Sequence, residues 1–182
     1  MTADEALERL LEGNRRFASG SPVAPRRDEQ RRTEQAENQT PFAVILGCAD
    51  SRVPPEIIFD QGIGDLFPVR VAGNIAVEDV TLGSIEFGVA VLGCPLVMVL
   101  GHERCGAVTA AVDAAANGTR PEGYLAALVD PILPVVTAGR GIDEAVKENV
   151  RRQVVALTDA FPTTQVVGAV YGLHSGRVEI LT

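Results

Sequence analysis

The chain has 182 residues, 46% of them hydrophobic, and a formal net charge of −8. This length and composition predict one globular domain with a sizeable core. The negative charge argues against nucleic acid and anionic membrane surfaces as partners, and no apolar run approaches the roughly 18 residues of a transmembrane helix.

Residues 1–39 are predicted to form an N-terminal helical arm. Thr2 and Glu5 have the spacing of a capping box, and apolar residues then recur at helical intervals, which predicts a helix over 3–18. Residues 20–39 are polar and proline-containing, with one short helix expected near 28–37. Because this stretch has no core of its own, we expect it to lie across another surface, such as that of a second subunit. The charges in the first helix distinguish it from a signal peptide, so we expect a cytoplasmic protein.

Residues 40–182 are predicted to form the α/β core. Apolar runs predict strands at 42–46, 66–71, 96–100 and 166–171, and helical patterns lie between them at 80–92, 107–116 and 143–160. After the last run, Ser175-Gly176 predicts a tight turn into a returning edge strand. The predicted fold is a mostly parallel β-sheet flanked by helices, with the N-terminal helical arm and a C-terminal edge-strand hairpin, all in one domain over 1–182.

Two predicted strands end in residues that can bind a metal. Cys48 follows the first strand, and His102 and Cys105 follow the third within GHERCG. Ligands of open α/β sheets bind beyond the carboxyl ends of the strands, so these residues converge if the two strands are neighbours. Two thiolates and one imidazole suit zinc and leave a fourth position open, as in catalytic sites. The alternative is that Cys48 and Cys105 are buried core cysteines and that His102 is a loop histidine. Cys94 lies inside apolar sequence, and we expect it to be a buried packing residue.

Asp50 and Arg52 alternate with Cys48 in the segment CADSR. Two thiolates cancel the formal charge of zinc, so a bound water is less acidic than with three histidines. A nearby carboxylate, kept ionised by an arginine, would help to orient the resulting hydroxide. By themselves, the same two residues are also typical of a helix cap and a surface ion pair.

These motifs together resemble the β-class carbonic anhydrases. The segment Cys48–Pro54 is similar to the first family motif, and Gly101–Gly106 is similar to the second. DLFPVRVAGN and GSIEFGVAVLG resemble the segments between them. The resemblance runs from about residue 39 to residue 112 and extends more loosely to the final strands.

The resemblance implies a zinc enzyme that reversibly hydrates carbon dioxide to bicarbonate and a proton. It assigns one zinc ion per subunit to Cys48, His102 and Cys105, and makes Asp50 and Arg52 the catalytic dyad that orients zinc-bound hydroxide. The family forms dimers, often paired into tetramers, with active sites at the dimer interface. The substrate-pocket residues that it implies are Gln39, Val53, Phe67 and Gly106.

Other positions depart from the family pattern or leave alternatives. Arg70 matches the arginine of a noncatalytic bicarbonate site, but the chain has no tryptophan, so we expect Arg70 to make an ion pair or an interface contact. His174 is expected to be an exposed turn residue.

Two other functions would keep the zinc site. The protein could hydrolyse a CO2 analogue such as carbon disulfide, or it could be a catalytically silent zinc-binding, bicarbonate-sensing module. The intact Asp50 and Arg52 argue against the silent module.

Overall fold

The computed structural model describes residues 1–137 and 141–181. Its sheet has five strands: β1 (Ala43–Gly47), β2 (Leu66–Arg70), β3 (Leu96–His102), β4 (Gln165–Tyr171) and β5 (Val178–Leu181). Their order is β2-β1-β3-β4-β5, with parallel pairing except between β4 and β5. The predicted α/β fold with a mostly parallel sheet and a C-terminal edge hairpin is therefore confirmed.

The helices lie in the order that the apolar patterns predicted, with some additions. Seven α-helices are described: α1 (Ala3–Ala18), α2 (Glu29–Glu34), α3 (Pro55–Ile58), α4 (Asp79–Glu86), α5 (Gly106–Asn117), α6 (Leu125–Val129) and α7 (Ile142–Ala160). Short 3-10 turns cover Ala72–Asn74 and Leu133–Val135. The short helices α3 and α6 were not predicted, because four or five residues carry too little periodicity to be recognised.

The helix predicted over 80–92 is divided in the structure. Helix α4 ends at Glu86, and a single π-helical turn follows over Phe87–Val91. Gly88 lies so close to the sheet that a Cβ there would be 2.5 Å from Val44 Cγ2. The wider turn occurs where the backbone meets β1, so close packing on the sheet accompanies the departure from regular helix.

The central strands are buried on both faces. Every residue of β1 and β3 is buried, and alternate residues of β1 enter different cores: Ala43 and Ile45 face one, and Val44 and Leu46 face the other. Helix α7 approaches β3 closely, since a Cβ at Gly101 would lie 2.6 Å from Val150 Cγ2. This packing fixes β3 at Gly101, the residue just before His102.

The N-terminal arm is attached to its own chain. The predicted capping box is present at Thr2 and Glu5, and Ala6 and Leu10 of α1 are completely buried. Beyond α1, Asp60 accepts hydrogen bonds from Arg16 (2.7 Å) and from the amides of residues 23 and 24 (3.0 and 2.8 Å). The surface on which the arm lies is therefore the segment before β2 of the same chain.

The chain changes direction in the sheet between β1 and β3. From β1 it first forms β2 on one side, and it later returns to form β3 on the other. Such a reversal opens a crevice at the carboxyl ends of the two strands, which is where α/β proteins bind ligands. Cys48 and His102 stand at this crevice.

Candidate metal centre

Cys48, His102 and Cys105 meet beyond the carboxyl ends of β1 and β3. Gly47 pairs with Leu100, so the residue after β1 lies beside the last residues of β3. All three side chains are buried, with exposed fractions of 5%, 0% and 0%. Their ligand atoms lie within 4.8 Å of one another, and the two sulfurs are 4.0 Å apart. The predicted convergence is therefore present in the structure.

The geometry fits a tetrahedral zinc ion. Zinc–sulfur bonds of about 2.3 Å at tetrahedral angles place two sulfurs about 3.8 Å apart, close to the separation seen here. Among the described residues, His102 Nε2 is buried without a hydrogen-bond partner, whereas Nδ1 lies 2.8 Å from the carbonyl of Glu103. That carbonyl favours a proton on Nδ1, which leaves the Nε2 lone pair free for a metal.

The two thiols share a proton in the metal-free site. A hydrogen bond from Cys105 lowers the pKa of Cys48 to about 4, against the opposing effect of burial. The nearby His102 and hydrogen bonds from the amides of Gly73 (3.3 Å) and Asp50 (3.4 Å) act in the same direction. The bond to Cys48, together with burial, raises the pKa of the Cys105 thiol. A divalent cation would replace this shared proton and stabilise both thiolates.

The pKa of His102 is raised by its neighbours. Burial alone would lower it, but the neighbouring Cys48 sulfur, together with the Glu103 carbonyl and the Asp50 charge, outweighs that effect. The imidazole therefore lies in a negative environment made by a sulfur and a carboxylate. Such an environment attracts a cation, which is the electrostatic condition for a metal centre.

Asp50 and Arg52 form a bidentate pair beside the three ligand residues. Arg52 Nε donates to Asp50 Oδ1 at 2.9 Å, and Nη2 donates to Oδ2 at 2.6 Å. These bonds hold the pKa of the Asp50 carboxyl well below its usual range. Asp50 Oδ2 also lies 3.9 Å from His102 Nε2. An ionised, oriented carboxylate thus borders the position that a cation would occupy.

Arg70 anchors the segment that carries Cys48 and Asp50. Its guanidinium donates to the backbone carbonyl of Cys48 at 3.0 Å and to that of Asp50 at 2.6 Å. The sequence predicted an ion pair or interface contact for this residue and did not indicate these bonds, because a side chain that binds main-chain carbonyls has no motif of its own. Arg70 therefore supports the geometry of the cluster from β2.

Two of the predicted pocket residues lie next to the cluster along the chain. Val53 is buried, at 2% exposure, and its amide donates to the carbonyl of Asp50 at 3.2 Å. Gly106 is the first residue of α5, directly after Cys105, and a Cβ there would meet no atom within 4 Å. An apolar wall and an open space therefore adjoin the ligand residues.

Gln39 and Phe67 lie at the opposite end of β1. Phe67 pairs with Val44, four residues before Cys48, or about 13 Å along a strand. Its ring stacks on Phe87 at a centroid distance of 6.0 Å. Gln39 precedes β1 and lines a surface depression with Ile63 and Gly64. Within one chain, neither residue is brought to the ligand cluster.

Cys94 and His174 lie where the sequence predicted. Cys94 is buried at 2% exposure, and its thiol donates to the carbonyl of Pro41 at 3.4 Å. Burial raises the pKa of this thiol to about 11, which makes it a packing residue and not a reactive one. His174 is exposed in the turn before β5.

Comparisons with known proteins point to one family. A profile of the family described as carbonic anhydrase matches residues 43–178. A protein named carbonic anhydrase 2 from Mycobacterium tuberculosis is 44% identical over 94% of this chain and 89% of its own length. A carbonic anhydrase from Mycolicibacterium smegmatis is 40% identical over 96% of this chain and 91% of its own length.

Solved structures show the same fold. A tetrameric β-carbonic anhydrase from Sordaria macrospora superposes with a TM-score of 0.74, covering 97% of both chains at 23% identity. The β-carbonic anhydrase of Coccomyxa, solved with acetazolamide, gives a TM-score of 0.71 at 27% identity, covering 96% of this chain and 86% of that one. In the part of the chain that the structure describes, no helix is long and apolar enough to cross a membrane.

Proposed function

The chain belongs to the β-carbonic anhydrase family, whose general activity is CO2 hydration, and from this premise we propose that it acts through a zinc centre and an Asp–Arg dyad. Cys48, His102 and Cys105 would hold one zinc ion per subunit, and Asp50 with Arg52 would organise the reaction. The observation that carries the proposal is the convergence of three buried donor atoms, one of them the unpartnered His102 Nε2, beside the paired carboxylate.

Each residue has a separate part in this mechanism. Zinc, when bound, would supply a Lewis acid that lowers the pKa of a water molecule. Asp50 would accept a hydrogen bond from the reacting water. This bond would turn a lone pair of the water oxygen toward the carbon of CO2. Arg52 keeps Asp50 ionised and fixes its direction. Val53 contributes an apolar surface suited to a nonpolar gas.

The lowered pKa of Asp50 limits its role. Because the hydrogen bonds from Arg52 favour the carboxylate, Asp50 stays ionised near neutral pH and does not store the released proton. It is therefore an orienting acceptor. Proton transfer to solvent requires another group or a chain of water molecules.

Stopped-flow CO2 hydration by the wild type and by Asp50→Asn tests this assignment. We expect kcat/KM to fall by about 100-fold or more in the variant, with zinc content and melting temperature unchanged. The matched control is Asp130→Asn, which removes the acid of a surface pair with Arg120, and its activity should equal that of the wild type. Full activity in Asp50→Asn would reject the dyad. A zinc-loaded wild type that does not hydrate CO2 would favour the analogue hydrolase or the silent module.

We further propose that the chain self-associates as a dimer or tetramer and that Gln39 and Phe67 line the pocket of a partner copy. Phe67 stacks beneath Phe87, which is 45% exposed on a surface that also carries Val80 and Val91 at 79% and 65% exposure. Such an apolar surface is typical of an interface. Since one chain keeps Phe67 away from its own cluster, a second copy is the natural source of these pocket residues.

Sedimentation of the wild type and of Val80→Asp tests the association. We expect the wild type to sediment as a dimer or tetramer and the variant to dissociate, with a loss of CO2 hydration at unchanged zinc content. A fully active monomer would contradict the shared pocket.

The three buried, unpaired cysteines fit a reducing compartment, and this supports our proposal of a cytoplasmic location.

A further inference from the structure

Helix α7 directs two buried amide side chains at the turn that follows β2. Asn149 and Gln153 are 0% and 2% exposed. Asn149 Nδ2 donates to the carbonyl of Gly73 at 2.8 Å, and Gln153 Oε1 accepts from the amide of Ala76 at 2.9 Å. The two side chains also bond each other at 3.4 Å. Both ends of the segment 73–76 are therefore held by one helix.

The held segment has an unfavourable backbone conformation. Gly73 and Asn74 have φ values of 76° and 45°, both in the left-handed region. This region is unfavourable for a residue with a side chain, so it persists only where the surroundings impose it. A Cβ at Gly73 would also lie 2.8 Å from Ile132 Cδ1, which leaves no room for a side chain. The amides of α7 are the side-chain contacts that hold this turn from the outside, in addition to the bond from the Asn74 amide to the carbonyl of Val71 at 2.8 Å.

The same turn contacts the metal centre. The Gly73 amide donates to Cys48 Sγ at 3.3 Å, while the Gly73 carbonyl accepts from Asn149. An amide that donates to a thiolate stabilises its charge and fixes the direction of its lone pairs. Asn149 is thus connected to the Cys48 sulfur by two hydrogen bonds, one to the carbonyl of Gly73 and one from its amide.

We propose that Asn149, supported by Gln153, is a positioning residue for Cys48. By holding the Gly73 carbonyl, Asn149 keeps the Gly73 amide aimed at the sulfur and limits the charge that the thiolate donates to a metal. This inference rests on the proposed assignment of Cys48 as a metal ligand. It predicts that the ligand field of the metal depends on a residue that touches neither metal nor substrate.

Cobalt-substituted protein tests this role without reference to activity. In the wild type, thiolate ligands give a sulfur-to-cobalt charge-transfer band in the near ultraviolet. We expect Asn149→Ala to move this band to longer wavelength, because a sulfur that loses an amide donor is a stronger electron donor. Zinc release from the zinc-loaded protein to a chelator should become about tenfold faster, because the sulfur is then less firmly positioned and more readily protonated, and losing an outer hydrogen bond of a metal ligand typically has an effect of this size.

Asn14→Ala is the matched control. Asn14 is also a buried amide, and it bonds the carbonyls of Ile58 and Gly176 and the amide of Val178. In the described part of the chain, no hydrogen bond joins these three groups to Cys48, His102 or Cys105. We expect this variant to lose stability but to keep the wild-type band and zinc release. The positioning role is overturned if Asn149→Ala keeps both wild-type values, or if the two variants change them equally.

A second variant covers the case in which Asn149→Ala does not fold. Gln153→Ala keeps Asn149 in place but removes its support, so a smaller shift in the same direction is expected, and unchanged values would overturn the proposal. If the wild-type cobalt protein itself shows no charge-transfer band, the assignment of Cys48 as a ligand fails. A wild-type band that no α7 variant moves refutes only the positioning role.

Discussion

Two carboxylate–arginine clusters of this chain use the same chemistry for different purposes. Among the arginines that the structure describes, Asp50 is paired with Arg52, and its side chain is 17% exposed. Asp65 is 5% exposed and lies among Arg9, Arg26 and Arg31 of the N-terminal arm. At Asp50 the hydrogen bonds from Arg52 are the main cause of a lowered pKa. At Asp65 burial by itself would raise the pKa, but a hydrogen bond from Arg26, the amide of Gly62 and the arginine charges together lower it. A lowered pKa therefore does not by itself identify a functional carboxylate.

The clusters differ in the hydrogen-bonding capacity that remains. Both oxygens of Asp65 are occupied, by Arg9 and Arg26 side chains and by the amide of Gly62. Asp50 Oδ2 accepts a single bond from Arg52 and faces the ligand cluster. The saturated carboxylate attaches the arm to the core, whereas the carboxylate with a free lone pair can act on a substrate.

Removal of the metal should show the largest difference between the roles of the Asp50 and Asp65 clusters. Dialysis against a strong chelator is expected to abolish CO2 hydration, because no other group in the proposed mechanism activates water. The arm should remain attached, since none of its hydrogen bonds or ion pairs in the described part of the chain involves Cys48, His102 or Cys105. Zinc analysis, activity and proteolysis of residues 20–39 check this prediction, and restored activity on adding zinc is the control. Release of the arm on chelation would contradict the separation.

Asp65→Asn should act mainly on stability. Three arginines would lose their shared partner, and breaking such a buried pair costs about 3 kcal/mol. Urea denaturation of metal-free wild type and variant measures the loss. The activity per zinc of the folded variant should equal that of the wild type, and a large fall in that activity would show that the arm cluster also serves catalysis.

Arg52→Lys should reduce activity with little effect on folding. Lysine keeps the positive charge but cannot make the two parallel bonds that orient Asp50. We expect about a tenfold fall in kcat/KM, within the range of lost orienting contacts. The control is Arg120→Lys in the surface pair with Asp130, which should leave kcat/KM unchanged.

Acid should weaken the arm cluster. The folded pKa of Asp65 is depressed, so its contribution to stability is complete above the unfolded value near 3.8 and is lost as pH falls through the lower folded pKa. Denaturation of metal-free protein between pH 5 and pH 3 should show a steeper loss of stability in the wild type than in Asp65→Asn. Equal slopes would mean that Asp65 is not the group responsible.

The sequence predicts the residues of the metal centre better than it predicts the long-range contacts that hold the arm and the metal centre in place. Cys48, His102 and Cys105 stand at strand ends within two short motifs, and the parallel fold places those ends together. Asp65 binds arginines from 34 to 56 positions earlier in the chain, and Asn149 binds a carbonyl 76 positions earlier. Interactions over such distances follow from tertiary packing and leave no local pattern.

The boundaries of the elements show the same limit. Helix α1 is predicted correctly because its cap and its apolar face are both local. The π turn after Glu86 depends on how closely Gly88 approaches β1, which the apolar spacing of that segment does not indicate. Gln39 and Phe67 are assigned to the pocket by resemblance alone, and one chain leaves them at the far end of the strand.

The separation of the two sulfur ligands along the chain bears on folding. Cys48 and Cys105 are 57 residues apart, and the intervening loop contains β2, α4 and all of β3. A cation bound to both sulfurs closes this loop as a covalent cross-link would, and closing a loop of that length removes about 4 kcal/mol of chain entropy from the unfolded state. Metal supply would thus set the lifetime of the folded protein as well as its catalytic competence.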